Sequence, residues 1–151
     1  MSNINEMRLE FTALPENEAF ARLAISGFML PLDPTMEQLA DVKTAVSEAV
    51  TNAIVHGYGG TGGMVGMRAA YGNGGGLVIK IIDQGRGIED VRRARQPFFT
   101  TCREEDRSGM GFTVMESFMD DVEVQSAPGK GTTVTMTKRI RQRDDAIPHE
   151  A

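Results

Sequence analysis

The stretch SEAVTNAIVHG, Ser47 to Gly57, decides how this chain is read. It continues an amphipathic helix whose Ala45, Val46, Ala49, Val50, Ala53 and Ile54 supply a core stripe. Beside that stripe Glu48, Asn52 and His56 fall at i, i+4 and i+8, drifting by about 40° per step. They therefore form a second, polar stripe. A solvated helix face would account for it, and so would the wall of a ligand or metal site. Asn52 is the member that a solvated face explains least well, because Asn is a weak helix former and has no charged i+4 partner here.

Working outward from this helix, the pattern gives a β-α-α-β-β-α-β-β order. MRLEFTAL, Met7 to Leu14, alternates apolar and polar residues as a half-buried strand does. PENEAFARLAISGFML follows as a first helix, with Pro15 and Glu16 in first-turn positions and Phe20, Leu23, Ala24 and Phe28 on one face. The second helix opens at Asp33 or Thr35, with Glu37 and Gln38 close behind, and ends near His56 before the glycines of YGGTGG. Segments 63–71 and 76–82 read as a hairpin around GNGG. Asp83 to Arg107 shows no sustained periodicity. GMGFTVMESFMD predicts a short third helix, and DVEVQSAPGKGTTVTMTKRI predicts two strands around Pro128-Gly129. The fold class is α/β, an α+β two-layer sandwich: a mostly antiparallel mixed sheet covered on one face by helices.

Composition sets outer limits. A chain of 151 residues, 40% hydrophobic and 25% charged, fits one domain over residues 1–140 with a polar, disordered tail at 141–151. Net charge is −5 and no Lys/Arg cluster stands out, which argues against nucleic acid as a direct partner. The single cysteine, Cys102, the lack of a leader at Met1 and the absence of an apolar run of about 20 residues predict a cytoplasmic protein without membrane contact. The ten methionines read as core filler.

Three glycine motifs give the polar stripe a setting. IIDQGRGI places Asp83 at the end of an apolar strand, with Gly85 and Gly87 letting backbone pass close to a flat ligand whose amino group the carboxylate would accept. RSGMGF puts Gly109 and Gly111 at the start of a helix, where free N–H groups favour a phosphate, just after Arg107 and Ser108. GKGTTV adds Gly129, Gly131 and two hydroxyls at the start of the last strand. Each motif alone is common in loops that bind nothing. Their order, Glu-x3-Asn on a helix, then DxGxG, then GxG opening a helix, then GT on a strand, is far more specific.

That series resembles the Bergerat or GHKL ATP-binding fold shared by gyrase and histidine kinases. More narrowly, LDPTMEQLADVKTAVSEAVTNAIVHGY, RQPFFTT, DRSGMGFTVMESFMD and GTTV are similar to the anti-sigma factor serine kinases of Gram-positive bacteria, from about Met7 to Lys138. The resemblance implies a homodimer, a Mg2+–ATP site and two protein partners: a sporulation RNA polymerase sigma factor, and an anti-anti-sigma factor phosphorylated on serine. It implies that Glu48 is the catalytic carboxylate, accepting the proton of the attacking serine, and that Asn52 is the Mg2+ ligand. Asp83 would read adenine, with Gly85 and Gly87 packing against the base and Thr132 or Thr133 supporting the carboxylate. Thr100, Thr101, Arg107, Ser108, Gly109, Met110 and Gly111 complete the implied nucleotide-binding set, and Arg22 matches a partner-contacting arginine. The segment Arg95 to Arg107 is expected to act as a lid. There Cys102 and Arg103 stand where the family commonly has Lys and Pro; Arg103 could replace the lysine. His56 is expected to be structural, and His149 has no evident role.

Rival readings carry different expectations. A histidine-kinase catalytic domain needs a phospho-accepting His on a dimerisation helix, and neither His56 nor His149 has that setting. A non-catalytic ATP-regulated sigma-binding module would not need Glu48. A stress-response type anti-sigma kinase differs only in its partners.

Overall fold

The computed structural model describes residues 4–96 and 111–140. β1 (Asn5–Thr12) leads into α1 (Asn17–Met29), a short 3-10 turn at Leu30–Leu32, and α2 (Met36–Asn52), which runs on as a π-helical turn over Ala53–Gly57. β2 (Met64–Tyr71) and β3 (Gly76–Asp83) form the hairpin; then come a one-turn α3 (Val91–Ala94), α4 (Gly111–Phe118), β4 (Asp121–Ser126) and β5 (Thr132–Arg139).

The strands make one five-stranded sheet in the order β1-β2-β3-β5-β4. Every described pairing is antiparallel, including β3 with β5. That pairing puts Asp83 opposite Thr132 at one end of the sheet, with Val65 of β2 on the other side of Asp83. Alternation then fixes where these side chains point. Leu77, Ile79 and Ile81 are buried on the core face, and Asp83 continues their period of two. Thr132 does the same for Val134 and Met136. The strand pattern itself thus drives a carboxylate and a hydroxyl inward.

α1, α2 and α4 cover that face, with α2 in the middle, packed against both of the others. The predicted core stripe of α2 is buried, as are Ile25 and Met29 of α1 and Phe112 and Met115 of α4. Full burial of such a side chain contributes about 1.5–3 kcal/mol, so this seam holds α2 to the sheet.

The start of α2 resolves the two sequence options in favour of Thr35. Its hydroxyl accepts from the Gln38 N–H while the Gln38 side chain accepts from the Thr35 N–H, a closed capping box. Asp33 instead takes a left-handed conformation, φ 52°, at the end of the preceding turn. α3 was not anticipated: it is one turn, too short to show periodicity, and is marked only by the Asp90 side chain accepting from the Arg93 N–H. Thr35→Ala is expected to cost about 1 kcal/mol of stability by opening the box, read as a lowered urea midpoint with an unchanged slope.

Candidate functional site

At the end of the sheet where β3 finishes and β5 begins, the helical layer and the sheet part to leave an open cleft of about 1440 Å³. Glu48, Asn52 and His56 all line it, together with Asp83, Gly87, Gly111 and Thr132. The polar stripe of α2 is therefore a cleft wall. His56, expected to be structural, shares that wall. In the turn that follows Asn52 the N–H of Tyr58 bonds to the carbonyl of Ala53, an i→i+5 bond of 3.0 Å, so the last turn widens.

The same turn delivers Gly57 onto Asp83. A Cβ on Gly57 would lie 2.9 Å from the Asp83 carboxyl carbon, and one on Gly85 would lie 2.1 Å from the Gly57 carbonyl oxygen. Only hydrogen at both positions permits this stacking of helix end, carboxylate and loop. The loop then caps the helix: Arg86 donates its backbone N–H to Gly57 O at 2.9 Å and its Nε–H to His56 O at 2.7 Å. Tyr58 ties the other side, donating to Met64 O at 2.6 Å and accepting from the Gln84 N–H at 2.7 Å.

Asp83 is 5% exposed. Burial raises its pKa above the ordinary 3.8, opposed by the backbone N–H groups of Gly85 and Thr132, which stabilise the charged form. The Gly85 contact to Oδ1 is 2.9 Å. Around it, Ser126 accepts from the Ile88 N–H at 2.8 Å, donates to Gly131 O at 2.9 Å and shares a 2.8 Å hydrogen bond with Thr132 Oγ1. Gly87, at φ 76°, could carry no side chain, since its Cβ would fall 1.9 Å from Ala127 O. The result is a backbone cradle with one buried acceptor at its base.

Gly111, at the start of α4, faces Asn52 so closely that a Cβ would stand 3.0 Å from the amide nitrogen. Gly111 and the helix Asn, 59 positions apart in sequence, thus border the same space. Asn52 offers a neutral oxygen there, suited to a hard cation. Among the described residues no group of three or more His, Cys, Asp or Glu could hold a metal ion, so a cation here would draw most of its oxygens from a bound phosphate ester or water.

Arg22 lies apart from the cleft lining, on α1, paired with Glu18 at 2.9 Å. Thr100, Thr101, Cys102, Arg103, Arg107, Ser108, Gly109, Met110, His149, most of the expected lid and the tail 141–151 lie outside the described residues. Gly57, Tyr58, Arg86 and Ser126 were missed from sequence. Gly57 alone carried a signal, as the glycine directly ending the polar stripe.

Several known proteins resemble this chain. It matches the Histidine kinase-like ATPase domain family over residues 11–138. It is 54% identical to the Anti-sigma F factor of Thermoanaerobacter sp. (strain X514), over 93% of this chain and 97% of that one. It is 52% identical to the Anti-sigma F factor of Bacillus subtilis (strain 168), over 90% and 93% respectively. Among solved structures, the RsbU and RsbW domains of a Mycobacterium tuberculosis protein align with a TM-score of 0.66 at 21% identity, over 90% of this chain but 32% of that longer one. The mycobacterial sensor histidine kinase MprB aligns at 0.55 with 24% identity, over 69% and 73%. These two likenesses are of fold. No helix among the described residues is long and apolar enough to cross a membrane.

Linkage gives the buried carboxylate a measurable signature. Because its folded pKa is raised, the native state binds more protons than the unfolded state between the two values, and this group's contribution to stability increases as pH falls. Wild type is therefore expected to gain stability relative to Asp83→Asn as pH drops from 7 towards 4, in paired urea titrations, while a pH-independent difference would contradict the raised value.

Proposed function

We propose a function on the premise of family: the chain belongs to the anti-sigma F factors, which it matches over most of its length, and it carries a histidine kinase-like ATPase domain. Such a domain implies ATP binding. The finer reading is that residues 1–140 form an ATP-dependent serine kinase, which restrains a sigma F type RNA polymerase sigma factor and phosphorylates its anti-anti-sigma factor. The observation that carries it is the convergence of Glu48 and Asn52 from α2, Asp83 from β3 and Gly111 from α4 on one cleft.

In this reading Asp83 accepts from the adenine amino group, while Gly85 and Gly87 let the base lie against the backbone and Thr132 steadies the carboxylate. Thr100, Thr101, Arg107, Ser108, Gly109, Met110 and Gly111 hold the phosphates. Asn52 would hold Mg2+, which when bound neutralises charge on the β- and γ-phosphates. Glu48 takes the proton as the serine oxygen attacks the γ-phosphorus; the bond to the bridging oxygen breaks and ADP leaves. Positioning and charge neutralisation carry most of such a reaction, so a preformed cleft is the main asset.

Arg22 contacts the protein partners, and the chain works as a homodimer in the cytoplasm. Exposed apolar side chains on α1, Phe20 and Leu23, supply surface of the kind protein interfaces cover. ATP and ADP must differ in their effect on the partner surface if nucleotide is to select the partner.

Incubating the protein with γ-labelled ATP and candidate sigma and anti-anti-sigma proteins, then mapping the labelled residue, tests this reading. Label on a serine of the anti-anti-sigma factor supports it; sigma binding without transfer would leave a non-catalytic module, and a stress-response pair as the only substrates would reassign the partners. Glu48→Gln is expected to lower transfer about 10²–10⁴-fold with ATP affinity retained, in single-turnover assays. Asn52→Ala is expected to make nucleotide affinity insensitive to Mg2+, as measured by calorimetry with and without the ion.

A further inference from the structure

Glu18 sits in the first turn of α1, far from every motif considered above, yet it lines the cleft. Its Oε1 meets two side chains at once, one as an ion pair without a hydrogen bond and one through a hydrogen bond. Arg22 Nε pairs with it at 2.9 Å from one turn further along α1, and the Ser47 hydroxyl on α2 donates to the same oxygen. Ser47 also lines the cleft and immediately precedes Glu48. The Arg22 side chain is 41% exposed and Glu18 only 20%. Arg22 is further anchored through its carbonyl, which accepts from Ser26 Oγ at 2.6 Å.

An exposed i,i+4 ion pair by itself contributes only a few tenths of a kcal/mol. Ser47 changes its meaning, because it joins a surface cation on one helix to the cleft wall on another. A cation and a hydroxyl sharing one carboxylate oxygen compete for its charge: whatever draws Arg22 outward leaves Glu18 more firmly to Ser47, and whatever disturbs Glu18 from the cleft side alters its attraction for Arg22. Such a coupling is reciprocal by thermodynamic necessity.

We propose that Glu18 is a positioning residue that couples the Arg22 surface to the Ser47–Glu48 turn of the cleft, so that nucleotide charge in the cleft and a partner's acidic group on Arg22 each report to the other. This rests on the reading of the cleft as an ATP site and gives that site a route to its partner surface. It commits Arg22 to an anionic partner group, since only a competing acceptor can draw the guanidinium off Glu18.

The experiment uses the full chain labelled with ¹⁵N. The Arg22 Nε–H resonance and the Gly85 amide are followed during titration with Mg2+ and ATP. Both are expected to move in wild type. In Ser47→Ala the Gly85 shift is expected to persist while the Arg22 shift falls at least twofold, and Ser47→Thr, which keeps the hydroxyl, should restore it. Glu18→Gln, which keeps the acceptor but not the charge, should also reduce it. An Arg22 resonance that stays still while Gly85 moves overturns the coupling and leaves the ATP reading standing. One that moves equally in Ser47→Ala overturns the route through Ser47. A Gly85 amide unmoved by saturating ATP overturns the ATP reading, and the coupling with it.

Discussion

A buried carboxylate under a glycine is the constraint on which the rest of this structure depends. Asp83 is carried inward by the alternation of β3, and the end of α2 closes over it where Gly57 offers no side chain to obstruct. Burying that charge is unfavourable, as its raised pKa records, and the backbone N–H groups of Gly85 and Thr132 offset only part of the penalty. A sheet that needed nothing at this position would continue Leu77, Ile79 and Ile81 with another aliphatic residue. A buried carboxylate at the base of a preformed cradle is a local cost, and such departures from an apolar core gather at functional sites.

The π-helical turn follows from the same constraint. The wider turn at Ala53–Gly57 brings Gly57 down on Asp83, at the end of the wall that Glu48, Asn52 and His56 line. Arg86 and Tyr58 then hold the arrangement, one capping the carbonyls of His56 and Gly57, the other binding the exits of the turn and of β3. Asp83 and the Glu48–Asn52 pair thus border one cleft at a single helix end. Their separation is set by backbone rather than by flexible side chains.

α1 ties the surface to this interior. It buries Ala21, Ile25 and Met29 and leaves Phe20 and Leu23 exposed, so one helix supplies core on one face and an open apolar surface on the other. Glu18 is at the boundary between the two faces. Through Ser47 it reaches the helix that carries the cleft wall, which is why a change at the outer face of α1 need not stay there.

Much of the architecture was legible in residue order alone. Period-two alternation located the strands, capping residues narrowed the start of α2 to Asp33 or Thr35, and Glu48, Asn52, Asp83 and Gly111 stood out because side-chain chemistry and spacing are local properties. The resemblance supplied the family, which the relatives bear out. What sequence could not supply was contact between distant segments. Gly57 gains meaning only when it meets Asp83, 26 positions on, and Ser126 only when it joins Ile88 to Thr132. Glu18 reads as an ordinary first-turn acid until α1 and α2 pack and bring Ser47 to it. His56 was expected to be structural because the family role implied for the stripe ends at Asn52, and the structure places it among the residues that line the cleft. The chain's pattern determined which groups face inward; the packing of α2 against the sheet, acting through close contacts that no local spacing encodes, decided which of those groups share a site.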